Sequence, residues 1–288
     1  VPSSSHMCSF DVVSLFTNVP VMETIDICAN ALYHDKEYSK QFDSPWMSET
    51  AFRRLMQMMT TDVEFSFDDT MYRQIDGVAM GSPLGPVLAN VFVGFYESKI
   101  PSAMWPSLYV RFVDDSFTHF RNLEQSNEFL GMLNNLHPAL KFTCEHEQSN
   151  RLSFLDVLVE KTEMGVSTSV YRKPTFTGQY IVYDSYCSTL YKTNLVRNLI
   201  MRARRICSPD KLQQELCFLK KVFVQNGYPV QLLSKLFSEP DIQAAEPEFG
   251  PDPCRVFLRL PWKGQISLDV ARAVRTVVRQ TYFATALT

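Results

Sequence analysis

The alternation of apolar and polar positions gives the chain two stretches of different character. The run CSFDVVSLF, Cys8 to Phe16, is apolar and β-rich and predicts a strand ending in a turn at Thr17-Asn18-Val19-Pro20. Glu23–Tyr33 and Ser48–Met59 read as helices, the second with Ser48 as its N-cap. Val63–Phe67 alternates and meets Asp68-Asp69, the turn of a hairpin whose return strand is Met71–Ile75. Gly77–Pro86 is a loop rich in Gly and Pro that opens a helix from Val87 to Lys99, with Leu88, Val91, Phe92 and Phe95 at helical spacing. Leu108–Val113 and Ser116–Phe120 are short strands around Asp114-Asp115, which puts two carboxylates at a hairpin tip. Arg121–Leu136 reads as an amphipathic helix with Leu123, Leu130 and Leu133 apolar, and Leu140–Glu145 and Leu152–Val159 as further strands.

After Pro174 the pattern turns helical. Thr189–Ile206 is a basic helix, and Asp210–Gln225 and Tyr228–Phe237 follow it. Ser238–Pro253 is a linker rich in Pro and Glu, Arg255–Leu260 alternates like a strand, and Ser267–Thr281 has a helical period. There is no internal repeat. The order β-α-β-α-β followed by helices predicts an α+β domain, helices on one face of its sheet, and then a helical domain.

Composition supports a substantial core: 45% of the 288 residues are apolar and 20% charged. The net charge of −3 does not match a uniformly basic nucleic-acid protein. Its distribution is uneven, however. From Arg172 to Lys221 there are ten Lys or Arg against Asp184, Asp210 and Glu215, a local excess that suits either a phosphate backbone or a solvated face. The seven cysteines (Cys8, Cys28, Cys144, Cys187, Cys207, Cys217, Cys254) show no CxxC and no Cys/His spacing. That argues against a disulfide scaffold or zinc site and for a reducing intracellular compartment, nuclear or cytoplasmic. No apolar run approaches the roughly 18 residues of a membrane span, and there is no signal peptide, so no membrane partner is expected. The opening VPSSSHM is compatible with a tag remnant and with native sequence, and carries no weight in the fold reading.

Three carboxylates carry the candidate chemistry. Asp11 lies in an apolar strand, where an acid costs free energy unless it is paired or ligates a metal. Asp114 and Asp115 repel each other at their hairpin tip, which a divalent cation relieves; Mg²⁺ takes such hard oxygen ligands and leaves room for substrate phosphates. From the residues alone a second reading stands beside this one, in which Asp114-Asp115 form an exposed turn and Asp11 caps a neighbour.

Three segments resemble a known family. FDVVSLF resembles the first catalytic block of reverse transcriptases, YVRFVDDSF their two-aspartate block, and GVAMGSPLGPVLAN the glycine-rich block between them. SFDVVSLFTNVP, GVAMGSPLGPVLANVF, LSFLDV and YRKPTFTGQY look like Penelope-like elements in particular, over roughly Ser9 to Ser208. A telomerase-like or group II intron-type polymerase is the neighbouring alternative; FTNVP and YRKPT favour the Penelope-like wording.

The resemblance implies an RNA-directed DNA polymerase: a right-hand palm of antiparallel sheet backed by helices, then a mainly helical thumb. Asp11, Asp114 and Asp115 become the metal ligands, joined by the Val12 carbonyl, for Mg²⁺ or Mn²⁺. Two ions roughly 3.5–4 Å apart would activate a primer 3′-hydroxyl and stabilise leaving pyrophosphate. Phe16 takes the place of the gate that crowds a ribose 2′ position, its alternative being a core Phe; Met80 and Gly81 join it at the nucleotide. Met80 stands where many relatives have Gln, and Gly85 where many have Ser. Arg172, Lys173, Lys192, Arg197, Arg202, Arg204 and Arg205 would hold the duplex by its backbone. The implied partners are an RNA or DNA template with primer and deoxynucleoside triphosphates. The expected division is palm 1–160, thumb 161–240 and a strand–helix extension 241–288. The family's fingers do not fit in the ten residues before Asp11, and no GIY-YIG endonuclease motif occurs by Thr288. A palm–thumb portion that binds Mg²⁺ and primer–template weakly, and extends poorly by itself, is therefore expected.

Overall fold

A computed structural model describes residues 5–35, 47–61, 63–163 and 165–239. The expectations for residues 241–288 lie outside the described residues. The chain divides into two compact units, Val1–Val166 and Ser167–Thr288.

The first unit is built on β1 (His6–Val12), followed by the one-turn helix α1 (Leu15–Asn18), then α2 (Val21–Tyr33) and α3 (Glu49–Thr60). A turn was expected at 17–20. Instead Asn18 N–H donates to the Ser14 carbonyl and Val19 N–H to that of Leu15, so the chain coils once before Pro20 starts α2. Ser48 caps α3 as expected, its hydroxyl accepting from Ala51 N–H. β2 (Glu64–Phe67) and β3 (Thr70–Arg73) form the expected hairpin, with Asp68 and Asp69 both at positive φ in its two-residue turn. α4 (Leu84–Glu97) starts three residues earlier than its periodicity suggested, and Ser82 Oγ accepts from Leu84 N–H at its head.

β4 (Leu108–Phe112), β5 (Asp115–Phe120), α5 (Leu123–Asn135) and β6 (Phe142–His146) complete the main layer. Its four strands run in the order β4-β5-β1-β6, each pairing antiparallel. Because side chains alternate, β1 sends Cys8, Phe10 and Val12 to one face and Ser9 and Asp11 to the other. The first face packs on Leu88, Phe92 and Val93 of α4 and Phe129 and Leu133 of α5, all fully buried. Phe10, Phe120 and Phe129 meet with ring centroids 5.4–6.3 Å apart. Burying each such ring stabilises the unit by about 2–3 kcal/mol. Two expected core positions are exposed instead: Leu123, on the outer side of α5, and Phe95, whose ring carries Lys99 Nζ 4.1 Å from its centroid.

The segment Leu152–Val159, a strand by alternation and a primer-grip hairpin by the resemblance, is a hairpin, β7 (Arg151–Phe154) and β8 (Val157–Thr162), turning at Leu155-Asp156 with Leu155 at φ 52°. No glycine or asparagine marks that turn, which is why alternation ran straight through it. Phe154 meets Phe117 at 5.7 Å, so the hairpin lies against the sheet face that carries Asp11. β9 (Gly165–Val170) carries the chain across the boundary between the units.

Among the described residues the second unit holds three helices, α6 (Thr189–Ile206), α7 (Pro209–Gln225) and α8 (Val230–Ser238), close to the expected bounds. Its core is Val196, Ile200, Phe223, Tyr228, Leu233 and Leu236. Gly227, at φ +81°, ends α7: Tyr228 N–H reaches back to the Phe223 carbonyl and Gly227 N–H to that of Val224. Buried Asn226 then ties down the preceding loop. Its amide donates to the Gly178 carbonyl and accepts from Tyr180 N–H.

Candidate functional site

Strand register builds the acidic site. Asp11 pairs directly with Asp115 across β1 and β5, and two side chains opposite each other in an antiparallel pair share a face. Phe112 pairs with Asp115, which leaves Val113 and Asp114 as a two-residue turn. The Asp114 carbonyl accepts from Val12 N–H at 3.0 Å, pinning this turn to the end of β1. Asp11 and Asp115 thus share the sheet face away from the helices, with Asp114 next to them in the adjoining turn. The repulsion is visible in Asp11, whose carboxyl is raised above its ordinary value, first by desolvation and then by the charge of Asp114.

Val113 has φ 58°, a conformation that costs a β-branched residue roughly 1–2 kcal/mol. The cost is met by Arg111. Its guanidinium donates to the Val113 carbonyl at 2.9 Å and to Asn90 Oδ1 at 2.8 Å. It also makes a fork to both oxygens of Glu97, at 2.7 and 2.9 Å. Asn90 and Glu97 are on α4, and Tyr109 OH donates to Glu97 as well. Burial and the Glu97 charge push the Tyr109 phenol upward, so it stays a donor. Sequence reading missed this network. Its only trace is a charged residue in an otherwise apolar strand, at the alternate position to Tyr109.

Phe16 is half-buried in α1 beside the glycine-rich loop: its carbonyl accepts from Val78 N–H at 2.7 Å, and its ring edge lies where a Cβ on Gly85 would stand 3.7 Å away. Gly77 is needed there. It has φ +71°, and a Cβ would come within 2.6 Å of the Phe16 and Thr17 carbonyl oxygens. Met80 is 74% exposed, and Gly81 is open to solvent with φ +93°.

The oxygen donors of Asp11, Asp114 and Asp115 suit a hard divalent cation. Among the described residues, however, the trio with donor atoms within 4.8 Å of one another is Cys8, Cys144 and His146. Ligation of one ion by all three aspartates therefore requires their side chains to rotate inward.

The basic residues of the second unit are not equivalent. Arg172 and Lys173 line a cleft of about 280 Å³ with Arg202, Tyr171, Phe176 and Tyr180. Arg172 is also paired with both oxygens of Glu215 and stacks 4.2 Å from the Phe218 centroid. Arg205 is exposed. Arg197 makes a fork to Glu239, and Arg204 donates to the Glu239 carbonyl. Lys192 departs from the expectation: it is buried, and its ammonium donates to the Tyr183 carbonyl, so it faces the core of its unit.

Solved structures supply the comparison that decides the fold. Telomerase from Candida albicans, in complex with a TWJ fragment of telomeric RNA, superposes with a TM-score of 0.55 at 11% identity, covering 81% of this chain and 40% of that one. The fold is a telomerase-like one. Apo telomerase from Candida tropicalis gives a TM-score of 0.49 at 12% identity, over 82% of this chain and 42% of that one. The chain spans about two-fifths of the length of these telomerase chains. Residues 179–238, α6 to α8 and the loop before them, match the family model described as an animal helix-turn-helix domain. No curated protein matches the chain.

Proposed function

We propose that the chain is the palm and thumb portion of a reverse transcriptase, an RNA-directed DNA polymerase of the Penelope-like kind. The observation that carries this reading is the register that sets Asp11 opposite Asp115 with Asp114 in the adjoining turn. A protein gains nothing in stability from three neighbouring carboxylates, whereas a cation site uses them. The telomerase-like fold supports the general class, and SFDVVSLFTNVP and YRKPTFTGQY support the finer assignment.

Asp11, Asp114 and Asp115, with the Val12 carbonyl, would hold Mg²⁺ or Mn²⁺. When bound, such an ion would supply Lewis acidity to a primer 3′-hydroxyl and charge neutralisation to a departing pyrophosphate. The protein supplies position. The Arg111 fork holds the Val113-Asp114 turn against α4, which keeps the Asp114-Asp115 pair in register with Asp11. Phe16, backed by Gly77 and Gly85, presents an aromatic edge that would exclude a 2′-hydroxyl and so favour deoxynucleotides. The β7–β8 hairpin lies on the same sheet face, where the family grips its primer. In the second unit, Arg172, Lys173 and Arg202 with Tyr171, Phe176 and Tyr180 combine charge and ring faces, a pairing that suits a nucleic-acid backbone and its bases.

Primer extension in Mn²⁺ tests the reading. Weak incorporation of deoxynucleotides on an RNA template is expected from the wild-type chain and none from the Asp114→Ala/Asp115→Ala variant. Equal signals from the two would overturn it. A second reading, nucleic-acid binding without catalysis, is favoured by the helix-turn-helix match over α6 to α8. It predicts retained RNA binding and no incorporation by either chain.

A further inference from the structure

Strands β1 and β6 bring together a second set of metal donors, on the sheet face opposite the aspartates. Cys8 pairs directly with His146, and Phe10 with Cys144, so Cys8, Cys144 and His146 all point to the helix-backed face. Their donor atoms lie within 4.8 Å of one another. Cys144 Sγ is 3.7 Å from each ring nitrogen of His146. A tetrahedral zinc site, with Zn–S of 2.3 Å and Zn–N near 2.05 Å, has an S···N edge of about 3.6 Å. The Cys144–His146 edge matches, and Cys8 completes the trio within 4.8 Å.

The surroundings fit a soft cation. His6 Nε2 is 2.9 Å from His146 Nδ1, and His6 Nδ1 lies 3.5 Å from Glu147 Oε1. That chain engages His146 Nδ1 and leaves Nε2 as the nitrogen available to a metal, the arrangement by which a histidine and a carboxylate behind it fix a metal-bound imidazole. Thr118 Oγ1 lies 3.1 Å from Cys8 Sγ, and Cys8 is fully buried.

We propose that Cys8, Cys144 and His146 form a zinc site, the fourth tetrahedral position going to solvent. On binding, both thiols lose their protons to water, and Zn²⁺ with two thiolates makes an electrically neutral unit, which is what burial demands. Thiolates select Zn²⁺ against the Mg²⁺ that the aspartates favour, so the two sites discriminate by donor softness. The ion would clamp β1 to β6 three residues from Asp11, on the same strand. The site is invisible along the sequence because its cysteines are 136 positions apart. A pattern search sees only Cys144-x-His146, too little to suggest a metal.

The test uses the full chain, loaded with Zn²⁺ or Co²⁺ as the chloride and then dialysed. Elemental analysis should show one zinc retained per chain, and the cobalt form a near-ultraviolet thiolate-to-metal charge-transfer band. Both should vanish in Cys144→Ser and His146→Gln and persist in Asp114→Ala/Asp115→Ala. His6→Gln should weaken zinc affinity about 10- to 100-fold. Should a variant lose its circular dichroism, the wild-type chain still decides: zinc must slow alkylation of Cys8 and Cys144, and a chelator must restore it. No retained metal, a band unchanged in Cys144→Ser and His146→Gln, or alkylation indifferent to zinc would each overturn the assignment.

Discussion

Replacing Arg111 by methionine keeps an unbranched apolar stem and removes the guanidinium with its four polar contacts. Two of these go to Glu97, and both side chains are little exposed, 13% for Arg111 and 12% for Glu97. Breaking a buried ion pair on one side costs about 3–5 kcal/mol. Glu97 keeps the Tyr109 hydroxyl as a donor, which puts Arg111→Met at the low end, about 3 kcal/mol. For a folding unit of this size that lowers Tm by roughly 6–12 °C. Urea unfolding is the direct assay, followed by the fluorescence of Trp105, whose ring sits 5.0 Å from that of Tyr109. The set should include wild type, Arg111→Met, Glu97→Gln and the double variant. The double variant should be no worse than Arg111→Met, giving a coupling energy of about 2 kcal/mol. Because Arg111 also holds the Val113 carbonyl, the Val12 amide, which donates to the Asp114 carbonyl, should exchange its hydrogen faster in Arg111→Met. A coupling below about 0.5 kcal/mol would refute the idea that this fork fixes the acidic hairpin.

Two further outcomes are expected. Gly77→Ala adds a Cβ 2.6 Å from two carbonyl oxygens at φ +71° and should cost about 2–3 kcal/mol, whereas Gly81→Ala, with open space around it, should cost about 1 kcal/mol; thermal melts check the ranking. His119 gives a pH dependence. Its Nδ1 is 2.6 Å from Ser107 Oγ, its Nε2 is buried without a hydrogen-bond partner, and desolvation, its largest cause, holds the ring below its ordinary value. The unfolded chain therefore takes up this proton first as pH falls. The contribution is fully present above the ordinary imidazole value and is lost as pH drops through it toward the folded value. Between roughly pH 7.5 and 5.5 the stability of His119→Gln should fall less steeply than that of wild type.

Much of this was legible along the chain. The β-α-β-α-β order followed by helices, the Ser48 cap, the Asp68-Asp69 turn and the bounds of α6 and α7 all come from local causes: periodicity, capping and turn chemistry act over a few residues. So do the three aspartates as candidates, since an acid inside an apolar strand and a pair at a hairpin tip are each anomalous where they stand. How far Phe16 is buried was not local: it is half-buried, with its ring edge beside Gly85 of the glycine-rich loop. Lys192 looked like one more cation in a basic helix, and only the packing of α6 turned it inward to the Tyr183 carbonyl.

By itself, then, the sequence determined which segments coil and which extend, and which carboxylates are out of place. The tertiary structure decided what meets what. Asp11 faces Asp115 because β1 lies between β5 and β6, in a register set by burying Cys8, Phe10 and Val12 against α4 and α5. The same register delivers Cys8 to His146 on the other face, and the fold sets Arg111 against Glu97. These pairings join residues far apart in the chain, and a pattern confined to neighbouring positions carries no information about them.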